Sequence, residues 1–351
     1  MRALEERPTI RFAPPDDATA PAPAEVRGLA RDAVRLLVAT PDGLTHARFA
    51  DLPEHLHPGD LVVVNNSATE ARELDARGAT GAAVVLHFAV PLEDGGWAVE
   101  VRTAPRAERA VLDAQPGDRF LSGPLATTLL EPWPEPGSSP THHGTRLWRA
   151  RVTGPLTDRL ADRGRPIAYG YLDRGYPLSD YQTVFAVRPG SAEMPSAARP
   201  FTPELVTALV SRGVAVAPVT LHTGVSSQEA GEAPQPEWFE VPETTARLVE
   251  AVRTARGRVV AVGTTVTRAL ESAVEGERVV ARRGWTDRVV TPAQPPRVVT
   301  GLVTGWHDPQ ASHLLLVEAV AGAPLAQRAY DAAASGGYRW HEFGDVALFL
   351  P

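Results

Sequence analysis

Two amino acids are absent from this 351-residue chain: cysteine and lysine. Without cysteine the chain forms no disulfide, binds no zinc through thiolates and carries no thiol nucleophile. Without lysine all 35 basic residues are arginine, which excludes a Walker-type phosphate loop and Schiff-base chemistry on a lysine. The chain also lacks a run of about 18 apolar residues, so the sequence predicts no membrane span.

The composition is that of a soluble globular protein, with 43% hydrophobic and 22% charged residues. Its length suits two or three modules. A formal net charge of −7 disfavours broad, non-specific binding of nucleic acid, although an arginine cluster such as Arg102, Arg106 and Arg109 leaves a local contact open. The first residues lack the apolar core of a secretory signal, and we therefore expect a cytoplasmic location.

The pattern of hydrophobic residues divides the chain into two kinds of structure. Between residues 74 and 153 the apolar segments are short, alternating and separated by Gly, Pro and Asp, which predicts a small antiparallel barrel or sandwich. After residue 200, buried strands alternate with helices, which predicts an α/β domain with a mostly parallel sheet. We expect residues 1–73 and 154–351 to form this main domain and residues 74–153 to form an inserted β-barrel.

Three helices are predicted in the second half of the chain. Thr202 is a candidate N-cap, followed by Pro203 and an apolar stripe that ends at Gly213. A second helix covers roughly residues 243–256, and a third follows Gly263-Thr264-Thr265 and continues through Glu271. Ligands of such sheets bind where the strands end, so we expect the site at that edge.

The segment VVAVGTTVTRALES, residues 259–272, reads as a strand, a turn of small residues and a helix. The first N–H groups of the helix point out of this turn, an arrangement suited to a carboxylate or a phosphate. Thr264 and Thr265 can equally be ordinary capping residues. Arg268 and Glu271, three residues apart, can equally be a surface ion pair.

Histidines follow two of the predicted strands. TLHTG, residues 220–224, ends a buried strand and brings His222 to the expected ligand edge, either as a general base or as a hydrogen-bonded residue at the strand end. His307 lies between a strand and a helix whose first turn is expected to be PQAS, with His313 inside that helix. Their spacing is not that of paired metal ligands, so no metal is expected.

In YQTVFA, residues 181–186, polar and apolar residues alternate as they do in a β-strand.

Many segments, in order from about residue 34 onward, closely resemble the S-adenosylmethionine:tRNA ribosyltransferase-isomerase family of queuosine biosynthesis. The resemblance extends over most of the chain and is more specific than any single motif. The segments that carry it are HPGDLVVVNNS, EARELDARGATG, DYQTVFAVRPG, PSAARPFTPELVTALVSRGVAVAPVTLHTG, EWFEVPETTARLVEAVRTARGRVVAVGTTVTRALESA, GWTD, VVTGLVTGWHDPQASHLLLVEAVAG and YRWHEFGDVALFL.

The resemblance implies that S-adenosylmethionine is a substrate, used as a ribosyl donor. The ribosyl moiety would pass to the aminomethyl group of a 7-deazaguanine base in tRNA and rearrange to an epoxycyclopentane, with adenine and methionine released and no metal required. His307, His222 and Glu237 lie in matching segments and are candidates for proton transfer. The candidate substrate-binding residues are Asn65, Asn66, Tyr181, Gln182, Thr183, Ser196, Gly263, Thr264, Thr265, Arg268 and Trp306.

Several loop ends depart from the family pattern. Asn65-Asn66 is followed by Ser67-Ala68 in place of Thr-Arg, residues 195–201 lack a glycine and a histidine, and Gly305-Trp306 replaces Asn-Phe. Changes at loop ends on a retained scaffold are typical of altered specificity. Two alternatives therefore stay open: a divergent enzyme that acts on S-adenosylmethionine with a small-molecule acceptor or none, and a non-catalytic binding module. Whether the chain is a monomer or a homodimer also stays open.

Overall fold

The structure, a computed structural model, describes residue 4 and residues 6–137, 143–226, 231–309 and 311–351. Its β-strands form one large sheet, one closed barrel and two small two-stranded ribbons. The strands, in chain order, are β1 (Arg35–Thr40), β2 (Gly43–Arg48), β3 (Leu61–Asn65), β4 (Ser67–Thr69), β5 (Glu73–Gly78), β6 (Ala83–Pro91), β7 (Trp97–Thr103), β8 (Arg119–Ser122), β9 (Leu125–Pro132), β10 (Leu147–Thr153), β11 (Arg188–Ser191), β12 (Ala215–Leu221), β13 (Glu237–Val241), β14 (Val259–Val262), β15 (Val274–Glu275), β16 (Arg278–Val279), β17 (Arg282–Thr286), β18 (Gly301–Gly305) and β19 (Val346–Phe349).

The α-helices pack mainly on the large sheet. They are α1 (Leu156–Arg163), α2 (Pro203–Ser211), α3 (Glu243–Thr254), α4 (Thr264–Ser272), α5 (His313–Ala321) and α6 (Ala323–Ser335). Short 3₁₀ helices cover Arg31–Ala33, Phe49–Glu54, Leu178–Tyr181 and Ser196–Ala198. In the described part of the chain, no helix is both long enough and apolar enough to cross a membrane.

The large sheet has nine strands in the order β17-β13-β12-β3-β14-β18-β19-β1-β2. Its strands are parallel from β12 to β18 and again between β19 and β1, whereas the other four pairings are antiparallel. The sheet is therefore mixed, and the expected mostly parallel sheet is found only at its centre. One reason is local: a two-residue turn joins β1 to β2, and so short a connection permits only antiparallel pairing.

Strand β3 shows why the centre of the sheet is buried on both faces. Its residues Leu61 to Val64 are all apolar, and successive side chains point to opposite faces. Leu61 and Val63 pack in the core beneath α3 and α4, while Val62 and Val64 pack in a second core beneath α2. A strand covered by helices on both sides needs such an unbroken apolar run.

The predicted antiparallel barrel is confirmed. Strands β5 to β10 close on themselves in the order β10-β7-β6-β5-β8-β9, with antiparallel neighbours throughout. Alternate residues fill the interior, among them Leu86, Phe88, Val99 and Trp148. The turn at residues 116–118 leads directly into β8, as the Pro-Gly-Asp sequence indicated.

The three predicted helices after residue 200 are confirmed as α2, α3 and α4, but two local expectations were wrong. Residues 181–186 form no strand; Tyr181 ends a 3₁₀ helix, and the Gln182 side chain bonds to both the N–H and the carbonyl of Thr69. Helix α5 begins at His313 rather than within PQAS, and Gln310 of that segment lies outside the described residues.

Replacing Thr202 with alanine is expected to lower the free energy of unfolding by about 1 kcal/mol. The Thr202 hydroxyl accepts a hydrogen bond from the backbone N–H of Leu205 at 3.2 Å, and alanine leaves that donor without its cap. Denaturant titration of both proteins measures the difference. Serine at the same position keeps the hydroxyl and should restore most of the loss; equal stabilities of all three proteins would contradict the capping role.

Candidate active site

A cavity of about 870 Å³ opens where the central parallel strands end. One part of its wall comes from the ends of β14 and β18 and the start of α4, and another comes from the barrel through Arg102 and Glu108. Because β12, β3, β14 and β18 are parallel neighbours, their carboxyl ends meet at one edge of the sheet. Eight of the predicted site residues line this cavity: Ser196, Glu237, Gly263, Thr264, Thr265, Arg268, Trp306 and His307.

Gly263 and the start of α4 give the cavity its backbone donors. Gly263 follows β14 with a φ of +92°, a conformation that favours glycine. The chain then turns into α4 at Thr264 with no side-chain cap, so the first N–H groups of the helix have no side-chain oxygen bonded to them. This end of the helix suits an anionic group of a ligand.

We expect Gly263→Ala to destabilise the protein by about 1 to 3 kcal/mol, because an L side chain is strained at this φ. A Cβ at this position would lie 3.4 Å from the Cβ of Ala197, so the added methyl group meets no severe clash and the backbone strain is the main effect. Thermal unfolding measures the loss of stability, and ligand affinity measures the effect on the start of α4. As a control, Gly43→Ala adds a Cβ in open space, and an equal loss in that variant would rule out a specific effect at Gly263.

Glu237 and Arg268 form a buried ion pair in the cavity wall. The carboxylate contacts the Arg268 guanidinium and accepts a hydrogen bond from the N–H of Gly224 at 2.9 Å. Arg268 also donates to the carbonyls of Gln235 and Arg288 at 3.0 Å, so its direction is fixed. Burial raises the pKa of Glu237, while the guanidinium and the Gly224 amide lower it.

His307 lies two residues after the end of β18, and its ring stacks on that of His313. The two imidazole rings stack with centroids 4.7 Å apart and planes 6° apart, and Nε2 of His307 lies 3.0 Å from the Thr304 hydroxyl. Burial, assisted by the neighbouring histidines, holds the pKa of His307 well below its usual range, and burial lowers that of His313 to about 4. Both rings are therefore neutral at physiological pH.

The remaining predicted residues lie outside the part of the cavity wall that the structure describes. Asn65 bonds through its side chain to Leu221 and Ser67, and Asn66 accepts a hydrogen bond from Thr220 at 2.7 Å. These amides hold the ends of β3 and β12 together. His222 contacts the Ser67 hydroxyl at 2.8 Å and stacks on the Trp238 ring.

Trp306 and the segment at residues 181–183 contribute mainly to packing. The Trp306 ring is 1% exposed and lies edge-on to Tyr330 with centroids 5.0 Å apart. Tyr181 packs in a separate apolar cluster. The Thr183 hydroxyl accepts a hydrogen bond from the N–H of Phe185 at 3.3 Å.

Sequence reasoning missed a group of polar residues on the cavity wall. Tyr169, Tyr171, Glu193, His341 and Glu342 come from three segments of the chain, and all five line the cavity. The two tyrosines of YGY and the His-Glu pair before Phe343-Gly344 were visible as polar residues in irregular segments, but nothing in the sequence placed them together. His341 has a φ of +69°, which is uncommon for a residue with a side chain.

The described residues contain no cluster of three or more histidine, aspartate or glutamate side chains arranged to hold a metal ion. The groups available to a ligand are therefore the start of α4, the Glu237–Arg268 pair, the neutral His307 and the tyrosine and glutamate side chains opposite. These groups offer hydrogen bonding, proton transfer and charge stabilisation in a partly closed space.

Comparison with known proteins assigns the chain to a family. The family model described as queuosine biosynthesis protein matches residues 9–349. Relatives named S-adenosylmethionine:tRNA ribosyltransferase-isomerase include one from Thermus thermophilus, 36% identical over 91% of this chain and 93% of its own length, and one from Thermosynechococcus vestitus, 34% identical over 92% and 90%. The crystal structure of the Thermotoga maritima S-adenosylmethionine tRNA ribosyltransferase is similar, with a TM-score of 0.53, 29% identity, and 97% and 99% of the two chains covered.

The family match covers nearly the whole chain, and the similar solved structure covers the barrel as well as the large sheet. The chain therefore belongs to the queuosine biosynthesis protein family, together with enzymes named S-adenosylmethionine:tRNA ribosyltransferase-isomerase.

Proposed function

We propose that the protein transfers and isomerises the ribosyl moiety of S-adenosylmethionine onto the 7-aminomethyl-7-deazaguanine base of tRNA, with release of adenine and methionine. S-adenosylmethionine is then a substrate and tRNA the partner. The observation that carries the proposal is the cavity of about 870 Å³ at the strand ends of a family member. Single-ligand pockets span about 300 to 1,000 Å³, so this volume is large enough for a ligand such as S-adenosylmethionine.

The proposed roles of the cavity residues follow from their charge and position. The start of α4, at Gly263, Thr264 and Thr265, binds the carboxylate of the methionine moiety. His307 is neutral, so its imidazole accepts a proton from a carbon made acidic by the adjacent sulfonium. Glu237, held by Arg268, places negative charge beside the ribosyl group as the donor breaks down.

The other predicted residues have proposed roles in positioning and binding. Asn65, Asn66 and His222 hold the ends of β3 and β12 in place behind the cavity. Tyr181, Gln182 and Thr183 hold the segment that follows β4, chiefly through the bonds between Gln182 and Thr69. Two further residues lie at the cavity itself: Ser196 binds substrate through its hydroxyl, and Trp306 supports the loop that carries His307.

For the domain organisation we propose that residues 1–73 and 154–351 form the catalytic domain and that residues 74–153 are inserted into it. The closure of β5 to β10 into one barrel supports this division. The barrel also contributes to the cavity wall through Arg102 and Glu108, so we expect an acceptor that enters the cavity to lie beside the barrel.

Adenine and methionine release tests the proposed function. The purified protein is incubated with S-adenosylmethionine, with and without tRNA that carries the aminomethyl-deazaguanine base, and both products are quantified. Release that requires this tRNA supports the proposal. Release without tRNA would indicate a divergent enzyme with a small-molecule acceptor or none, and binding without release would indicate a non-catalytic module.

A further inference from the structure

Two carboxylates face the cavity without a basic partner. Glu193 and Glu342 both line it, and in the described part of the chain neither has an arginine or histidine nitrogen within the 4 Å of an ion pair. Glu193 is 8% exposed and accepts hydrogen bonds from the Tyr169 hydroxyl and from the N–H and hydroxyl of Ser226. All of these donors are neutral, so none of them supplies a positive charge.

The other buried carboxylates of the described structure have partners of a different kind. Eight are buried besides Glu193; five pair with arginine and three accept hydrogen bonds from two or more backbone N–H groups. Both arrangements offset the cost of removing a charge from water. Glu193 and Glu342 therefore stand apart: among the described residues, neither pairs with an arginine and neither accepts hydrogen bonds from two backbone N–H groups.

Glu342 is the less satisfied of the two. Its Oε2 atom is buried and has no hydrogen-bond partner among the described residues. Burial and the nearby Glu193 raise the pKa of Glu342 to about 8, against a lowering contribution from a hydrogen bond with Tyr171. Tyr181 and His341 are also close to it: burial and then Glu342 raise the pKa of Tyr181, and Nε2 of His341 lies 3.6 Å from the Asp308 carboxylate. Arg31, Arg199 and Asp345 line a smaller cavity together with Glu342.

Aromatic rings complete this part of the wall. Tyr169 and Tyr171 lie with ring centroids 6.3 Å apart, and both hydroxyls are engaged with the two glutamates. Tyrosine faces together with carboxylates favour organic cations, through the ring quadrupole and through charge-assisted hydrogen bonds. Arg102 lies 5.0 Å from the Tyr169 ring, and its guanidinium forms an ion pair with Glu100.

We propose that Glu193, Glu342, Tyr169 and Tyr171 form a binding subsite for a primary ammonium group of a substrate. An ammonium group brings both a positive charge and N–H donors to the two carboxylates, whereas a sulfonium brings the charge alone. Binding displaces the proton that Glu342 holds at neutral pH. The inference rests on the proposed function for the identity of the ligand, because the ammonium belongs either to the methionine moiety of the donor or to the aminomethyl group of the acceptor base.

Calorimetric titration tests the subsite with matched probes. S-adenosylmethionine is compared with 5′-methylthioadenosine, which has no ammonium, and free 7-aminomethyl-7-deazaguanine is compared with the 7-cyano base. Each is titrated into wild-type protein and the Glu342→Gln variant over about pH 6 to 7.5, below the range in which an α-ammonium loses its own proton. Buffers of different ionisation enthalpy report how many protons binding releases.

We expect at least one ammonium probe to bind wild-type protein with release of about one proton near pH 7, and to bind more tightly as the pH rises. Glu342→Gln should abolish this proton release and weaken that probe about ten-fold, since it removes a hydrogen bond between charged groups. The probes that lack an ammonium should bind both proteins alike. Whichever ammonium probe responds identifies the source of the group.

A second variant, Glu193→Gln, tests the subsite independently in case Glu342→Gln does not fold. Glu193→Gln removes the neighbouring charge that raises the pKa of Glu342, so binding should reach its full strength at a lower pH than in wild type. Glu275→Gln, on an exposed strand, is the control and should match wild type.

The same proton release in wild type and Glu342→Gln, or no ammonium probe bound by wild type, would overturn the subsite. Adenine release in the tRNA assay is read separately, so a failure of the subsite is distinguishable from a failure of the proposed function.

Discussion

Replacing His307 with alanine is expected to lower the rate of adenine release about 100-fold or more while the protein stays folded. Positioned acid–base groups contribute about 10² to 10⁴ to a rate. The His307 ring is neutral, stacked on His313 and hydrogen-bonded to Thr304, so it is held in place to accept a proton. Single-turnover assays with saturating S-adenosylmethionine and tRNA measure the effect on the chemical step.

The matched control for this prediction is His57→Ala, which removes an exposed imidazole far from the cavity. Melting temperatures of both variants report on folding. His307→Gln, which keeps a hydrogen-bonding side chain but no titratable ring, separates orientation from proton transfer and should stay as slow as alanine. A wild-type rate in His307→Ala would remove His307 from the mechanism.

Replacing Arg268 with alanine is expected to cost about 3 to 5 kcal/mol of stability, because it leaves the buried Glu237 carboxylate without its counter-charge. It also frees the carbonyls of Gln235, Thr286 and Arg288, which accept hydrogen bonds from the same guanidinium. Urea unfolding measures the change.

Two comparisons show whether the effect of Arg268→Ala comes from the buried charge. Adding Glu237→Gln to the variant removes the uncompensated carboxylate and should recover part of the stability. Arg247→Ala breaks an exposed pair with Glu243 and should change stability by less than about 1 kcal/mol. Equal losses in Arg268→Ala and Arg247→Ala would contradict the buried-pair explanation.

The parts of the fold that the sequence predicts are those with a strong local signal. Thr202 and Pro203 mark the start of α2, and the apolar run from Leu61 to Val64 marks a central strand. The mixed character of the sheet had no such signal, because the position of β19 between β18 and β1 depends on contacts across the whole chain. The residues at 181–186 alternate as in a strand, yet the side-chain bonds of Gln182 prevail over that pattern.

The candidate site was predictable only where a strand leads straight into a helix or loop. Gly263 to Thr265 and His307 follow buried strands, and the structure brings them to one cavity. Glu193 and Glu342 lie in irregular segments separated by well over a hundred residues, and only the folded chain shows that both line one cavity. Two carboxylates in irregular segments produce no periodic pattern in the sequence, so their proximity cannot be predicted from it.

The order of strands in the large sheet has a consequence for synthesis on the ribosome. Leu36 near the beginning of the chain pairs with Val346 near its end, and β3 lies between two strands made 150 residues and more after it. The sheet therefore cannot be completed until nearly all of the chain has emerged, whereas the barrel strands are contiguous and can associate much earlier. We expect a nascent chain stalled before β19 to hold a protease-resistant barrel beside an unfinished sheet.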